Sequence, residues 1–172
     1  MLQFPAYYPP KARGGVFRVE VESLKMFQHI LVPTDGSELS WNTAIKSLEF
    51  AKGIGAKVTF LHALPDSPQM FFGGEGTLVE QTLPEELDAE ADVQAHALLT
   101  RLTEQAKTVG VQSGIILLRG SPFEAIIHAA TSQGCDLILM ASHGYRGIKG
   151  LILGSETQKV LTHSTIPVLV YR

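Results

Sequence analysis

The sequence predicts an α/β fold: a five-stranded parallel sheet, doubly wound, with helices on both faces and strands in the spatial order 3-2-1-4-5. Three observations predict it. Short, wholly apolar runs such as Ile30-Leu31-Val32 and Leu137-Ile138-Leu139-Met140 have the composition of strands buried on both faces. Such runs alternate with stretches whose apolar residues recur at helical spacing, the pattern of parallel strands joined by crossover helices. Polar, glycine-bearing turns follow the first run and the fourth, at Pro33-Thr34-Asp35-Gly36-Ser37 and Ala141-Ser142-His143-Gly144. With right-handed crossovers, strand one is central and strand four lies beside it, and ligands bind where the winding reverses. The two turns are therefore expected to face each other across one crevice.

Each element has its own signal. Residues 1–25 carry Pro5, Pro9, Pro10 and Gly14-Gly15 without either period, although Val16 to Val21 alternates as a short edge strand would. They are expected to form a poorly ordered extension ahead of a domain spanning 26–172. After the first strand, Leu39, Ala44, Ile45, Leu48 and Ala51 mark a helix that Gly53 and Gly55 close. Lys57 to Leu64 is the second strand, and Pro65 to Leu83 reads as a long connection without period, its Met70-Phe71-Phe72 packing down on the domain. Thr82-Leu83-Pro84-Glu85 has capping-box spacing and opens a helix striped by Leu87, Ala91, Ala95, Leu98, Leu102, Ala106 and Val109. Val111 to Leu118 is strand three. Ser121-Pro122-Phe123-Glu124 is a second capping box, with proline at the first helical position, and its helix stops at Gly134. Asp136 to Ala141 is strand four, Ser155 to His163 the last helix and Ile166 to Tyr171 the closing strand.

Bulk properties narrow the class of function. At 172 residues, 45% hydrophobic and 18% charged, the chain has the composition of one ordinary globular domain. A formal net charge of -3 gives no basic surface for nucleic acid or anionic lipid. The single cysteine, Cys135, excludes an internal disulfide and suits a reducing compartment; at the entrance to an apolar strand it reads as a small buried residue. No apolar run reaches the ~18 residues of a membrane span, and the N-terminus lacks a signal-peptide pattern, so a cytoplasmic protein is expected. The histidines show no His-Glu-x-x-His, His-x-His or cysteine-rich spacing, and no protein metal site is expected.

The stretch from Met140 to Thr157 carries the chemistry. Strand, glycine-punctuated loop and helix start follow one another, ending at Gly154-Ser155. Glycines allow a close backbone approach, and the N–H groups of a helix's first turn attract an anion such as phosphate. These residues resemble the nucleotide-binding branch of the universal stress protein (UspA-like) family. The resemblance rests on Ile30 to Ser37, Val58 to Ala63, Gly120-Ser121-Pro122 and Met140 through Ser155 ending in Pro167-Val168-Leu169-Val170. The family signature, Gly-x2-Gly-x9-Gly-Ser/Thr, is matched by Gly144, the nine residues Tyr145 to Leu153, and Gly154-Ser155.

The resemblance implies an adenine nucleotide alpha hydrolase-like, Rossmann-like fold holding ATP, or ADP or AMP. Pro33, Thr34 and Asp35 would line the adenosine, and Ala63 would meet the base through its backbone. Met140, Ala141, His143 and Gly144 would run beside ribose and phosphates. Gly154, Ser155, Glu156 and Thr157 would hold the phosphate tail by N–H and hydroxyl groups. Magnesium or manganese would be carried by the phosphates. Two departures stand out. Ala141 replaces the signature's first glycine, and a positive φ there would cost ~1 kcal/mol. Glu156 puts a carboxylate beside the phosphates, repelling a triphosphate unless it turns outward or Arg146 and Lys149 offset it.

Plainer readings accompany these assignments. Asp35 suits an Asx turn before a helix. Ser155 with Gln158 has capping-box spacing. His143 has no nucleophile or orienting carboxylate beside it in sequence, so no catalytic residue is assigned. His128 reads as a surface position, and Arg101 as part of a solvated helix face. The last strand is apolar on both faces and lies at a sheet edge, which invites pairing; the family resemblance implies a homodimer through it. The reading that follows is an ATP-binding regulatory or stress-response protein, acting through dimerisation and an unknown regulatory protein partner, with at most slow hydrolysis. The alternatives are a nucleotide-free scaffold of the same fold and a true ATPase or nucleotidyl-transfer enzyme.

Overall fold

The computed structural model describes residues 26–65, 70–74, 77–81, 85–143 and 153–172. In chain order the elements are β1 (His29–Pro33), α1 (Glu38–Ile54), β2 (Lys57–Leu64), β3 (Met70–Gly74), β4 (Thr77–Gln81), α2 (Glu85–Val109), β5 (Ser113–Arg119), α3 (Pro122–Ser132), β6 (Leu137–Ala141), α4 (Ser155–His163) and β7 (Val168–Tyr171). The main sheet has five parallel strands in the order β5-β2-β1-β6-β7. That is the expected 3-2-1-4-5 winding. One part of the expectation fails: the connection after β2 contains an antiparallel hairpin, β3 with β4, paired from Met70↔Gln81 to Gly74↔Thr77. Short strands carrying two glycines hide the period, while Phe71-Phe72 and Leu78-Val79 supply β-formers on either side of Glu75-Gly76.

Alternation along the strands divides the core in two. Ile30, Val32, Val58, Phe60, Leu137 and Leu139 face α1 and α2, meeting Ala44, Leu48, Leu99 and Leu102. Leu31, Leu61, Ile138 and Met140 face α3 and α4, meeting Ile126, Ala129, Ala130 and Val160. Both faces of β1 and β6 are therefore filled, and every residue of the two strands is buried. Cys135 belongs to the second cluster, where burial pushes its thiol up to about 11, as expected of an inert core cysteine. On the outer side of α2, Arg101 is more than a solvated residue: its guanidinium lies 4.7 Å from the centre of the Trp41 ring on α1.

Helix ends follow local chemistry, with two corrections. Ser37 caps α1, its hydroxyl accepting the Ser40 N–H at 3.2 Å. Pro122 takes the first position of α3, yet Ser121 makes no side-chain cap bond, so the expected Ser121/Glu124 box is not formed. An outside carboxylate serves instead: Glu156 accepts the Phe123 N–H at 3.0 Å. In α4 the cap is Gly154 and Ser155 is already helical, so Ser155 does not cap with Gln158. The box expected at Thr82 lies outside the described residues, as do residues 1–25.

Candidate functional site at the switch in strand order

The chain winds outward from β1 through β2 to β5, then crosses to β6 and β7 on the other side. All five strands are parallel, so the C-terminal ends of β1 and β6 lie side by side at one edge of the sheet. A sheet of this winding is expected to open a crevice there, because the crossovers on either side leave in opposite directions. β1 pairs with β6 at Ile30↔Leu137 and Leu31↔Ile138, and beyond these pairs the strands run on to Pro33 and Ala141. The turn bearing Asp35 and the segment Ala141 to His143 thus leave the sheet from neighbouring strands.

The first turn is stiffened from within. Thr34, only 6% exposed, donates its N–H to Leu61 at 2.8 Å, and its hydroxyl lies 3.0 Å from that of Ser40. Its side chain is committed to α1. Asp35 is exposed, and one carboxylate oxygen accepts the Ser37 N–H at 3.1 Å. The Asx-turn role is therefore real; a carboxylate has further lone pairs with which to accept hydroxyl donors. Gly36 follows at φ 80°, a left-handed conformation that favours glycine.

The second wall is built where α4 is fastened to the end of β6. Gly154 donates its N–H to Ser142 at 2.7 Å, and the buried Thr157 hydroxyl donates to the Ala141 carbonyl at 3.0 Å. Gly154 has an ordinary φ of -71°. Space is tight around it: a Cβ there would stand 3.1 Å from the Cα of His143, which would have to give by a few tenths of an ångström. Ala141 ends β6 in extended conformation, so the strain considered for it does not arise. Ser155 is exposed at the first position of α4, a helix whose opening N–H groups have no intrahelical acceptor. Ser142 is buried, its hydroxyl 3.1 Å from His143 Nδ1. Glu156 turns its carboxylate to Phe123 and to Lys159, 2.7 Å away, so the side chain expected beside phosphates is engaged with α3. Gly144, Arg146 and Lys149 lie outside the described residues. No group of three or more potential metal ligands occurs among the described residues, and no helix among them is long and apolar enough to cross a membrane.

This architecture has many counterparts. A model of the universal stress protein family matches residues 26–172. The chain belongs to the universal stress protein family. A universal stress protein of Thermus aquaticus is 33% identical over 147 residues, covering 86% of this chain and all of that one. YxiE of Bacillus subtilis, also a universal stress protein, is 31% identical over 148 residues with the same coverage. Among solved structures, the universal stress protein UspA from Lactobacillus plantarum superposes with a TM-score of 0.68 at 25% identity, covering 84% of this chain and 97% of its own. The fold is shared by a universal stress protein solved in complex with cAMP, at 23% identity, TM-score 0.63 and coverage of 86% and 98%. It is shared too by one from Archaeoglobus fulgidus in complex with dAMP, at 20% identity, TM-score 0.59 and coverage of 86% and 99%.

Within this universal stress protein one further residue adjoins the switch point. His62, beside Ala63 at the end of β2, has a buried Nδ1 with no hydrogen-bond partner among the described residues. Burial holds its imidazole below the usual pKa, opposed by the Thr34 carbonyl and the Asp35 carboxylate. The sequence expectations give His62 no role in the site. Alternation was the available signal, since His62 shares the side of the strand that carries Phe60. An open hollow of about 410 Å³ lies at the opposite end of the sheet, lined by Gln28, Lys57, Gln112 and their neighbours, away from these groups.

Proposed function

We propose that the crevice between the ends of β1 and β6 binds an adenine nucleotide, ATP first with ADP or AMP as alternatives, and that the protein is a nucleotide-sensing stress-response regulator. The observation that carries this reading is the fastening of the α4 N-terminus to the end of β6, beside the Asp35 turn. An N-terminus in that position supplies N–H donors and the positive end of a helix dipole to a phosphate. Gly154 leaves room for backbone contact, and the Ser155 hydroxyl adds a donor. Asp35 is assigned to a ribose hydroxyl or an adenine nitrogen, Pro33, Thr34 and Ala63 to the base and sugar, and Met140, Ala141, His143 and Gly144 to the ribose-phosphate edge. Glu156 contributes its N–H, and Thr157 the same. That proteins of this fold have been solved with cAMP and dAMP is in keeping with an adenine ligand.

In this reading the protein is cytoplasmic, forms a homodimer through β7, and signals through a regulatory protein partner. Magnesium or manganese rides on the phosphates. Hydrolysis is at most slow. The test is to denature the purified protein and analyse the supernatant for adenine nucleotide, then titrate nucleotide-free protein with ATP, ADP and AMP. Binding weakened by Asp35→Ala and by Gly154→Val supports the assignments. Variants that bind like the parent overturn them, and no binding by the parent leaves a nucleotide-free scaffold. Turnover well above ~1 per second with magnesium would instead make the protein an enzyme.

A further inference from the structure

Glu156 is the feature the nucleotide reading does not absorb. A carboxylate in the first turn of a phosphate-binding helix repels its own ligand, so its presence calls for another role. Its two oxygens are divided between two partners: one accepts the Phe123 N–H at 3.0 Å, the other meets Lys159 at 2.7 Å. The Lys159 ammonium in turn lies 5.2 Å from the centre of the Phe123 ring, and that ring lies 5.7 Å from the His163 ring. Ser121 leaves the first turn of α3 without a side-chain cap of its own, so the α3 cap is supplied by α4. The first turn of α4 is accordingly held on two sides. Gly154 and Thr157 tie it to the end of β6, and Glu156 ties it to the start of α3.

Two points of attachment on different elements fix a direction as well as a position. The bonds to β6 and the buried Val160 seat α4 on the sheet, and the Glu156 bond adds an attachment from its first turn to α3, a helix packed on the same sheet face through Ile126 and Ala129. Hydrogen bonds between N–H groups and phosphate weaken steeply with misalignment. The α3 N-terminus and the Lys159 ammonium also neutralise the carboxylate, limiting its repulsion of an anion.

We propose that Glu156 is a positioning residue of the nucleotide site, which braces the first turn of α4 against α3 and so sets the direction of the phosphate-binding N–H groups. This rests on the nucleotide reading above, but its mechanical part can be tested without it. Glu156→Gln removes the charge and keeps an oxygen that accepts the Phe123 N–H; Glu156→Ala removes both. In calorimetric titrations with ATP, the Gln variant should bind at least as tightly as the parent, and the Ala variant about tenfold more weakly than Gln. Equal affinity of the two variants would overturn the proposal, whether both gain or both stay unchanged. Amide hydrogen exchange in nucleotide-free protein supplies the second readout. Exchange at Phe123, and at Gly154 and Gln158, whose N–H groups donate to the Ser142 and Gly154 carbonyls, should accelerate in Ala and stay near the parent rate in Gln. Unchanged exchange in Ala overturns the brace even if the parent binds no ATP, whereas failure of the parent to bind with the exchange pattern intact overturns only the nucleotide reading.

Discussion

A methyl group at residue 154 would stand 3.1 Å from the Cα of His143, closer than backbone atoms tolerate without moving. Gly154→Ala should therefore cost about 1–3 kcal/mol of stability, as overpacking commonly does. Urea unfolding checks this, and an unchanged midpoint would show that the 142–143 segment yields. His29 makes a different residue-scale prediction. It is buried, its Nε2 lies 2.8 Å from the Thr59 hydroxyl, and burial followed by the Lys57 ammonium holds its pKa below the usual 6.5, against the carbonyls near Gln133 and Gly134 and the Asp136 carboxylate. His62 is depressed in the same direction. The unfolded chain then binds protons that the folded chain refuses. The folded state has its full advantage above about pH 6.5 and loses it as pH falls from there toward the depressed values. Between about pH 7.5 and about pH 5.5 the urea midpoint of the parent should fall more than that of His29→Asn, which keeps a polar group toward Thr59 without titrating. Parallel profiles would remove His29 as the cause.

At the scale of elements, helix ends carry the site, and what secures each end decides how much a substitution costs. The Ser37 hydroxyl satisfies the Ser40 N–H in the turn that carries Asp35. Ser37→Ala should cost about 1 kcal/mol, read as a lower thermal midpoint, and the loosened turn should weaken nucleotide binding as well. Thr157, 3% exposed, donates to the Ala141 carbonyl. Thr157→Val preserves the shape and leaves that carbonyl without its donor, an expected loss of about 1–3 kcal/mol in denaturant unfolding. A neutral result would mean that another donor reaches Ala141. Most of these elements were legible in the sequence, because wholly apolar strands and helical stripes have different periods. The β3–β4 hairpin was not, since two five-residue strands, the first ending in two glycines, offer too little alternation to register. Nor was the α3 cap. Ser121 and Glu124 have the right spacing, but the carboxylate that accepts the Phe123 N–H belongs to Glu156, 33 residues beyond Phe123.

For the whole molecule, the consequence of the winding order is that β7 forms one border of the described sheet. β7 carries Leu169 44% and Tyr171 37% exposed, and a border strand of that kind invites pairing with a second chain. If the proposed dimer forms there, Leu169→Lys should sediment as a monomer where the parent sediments as a dimer. Two dimers, or two monomers, would place association elsewhere or nowhere. The other edge, β5, carries Ile115 at 42% exposure, so the choice between the edges is not one of hydrophobicity alone. Order and adjacency are properties of the full sheet; a single strand reads the same at either border.

By itself the sequence determined the class of fold, the strand order, the two-sided burial of β1 and β6, and the family. Those follow from short-range periodicity and from motifs that are contiguous in the chain. Tertiary structure alone decided how side chains within the motifs are spent. Thr34 turns into α1, Thr157 into the β6 carbonyl, and Glu156 across to α3. A side chain takes the partner that packing brings within about 3 Å, and spacing along the chain holds no record of that distance.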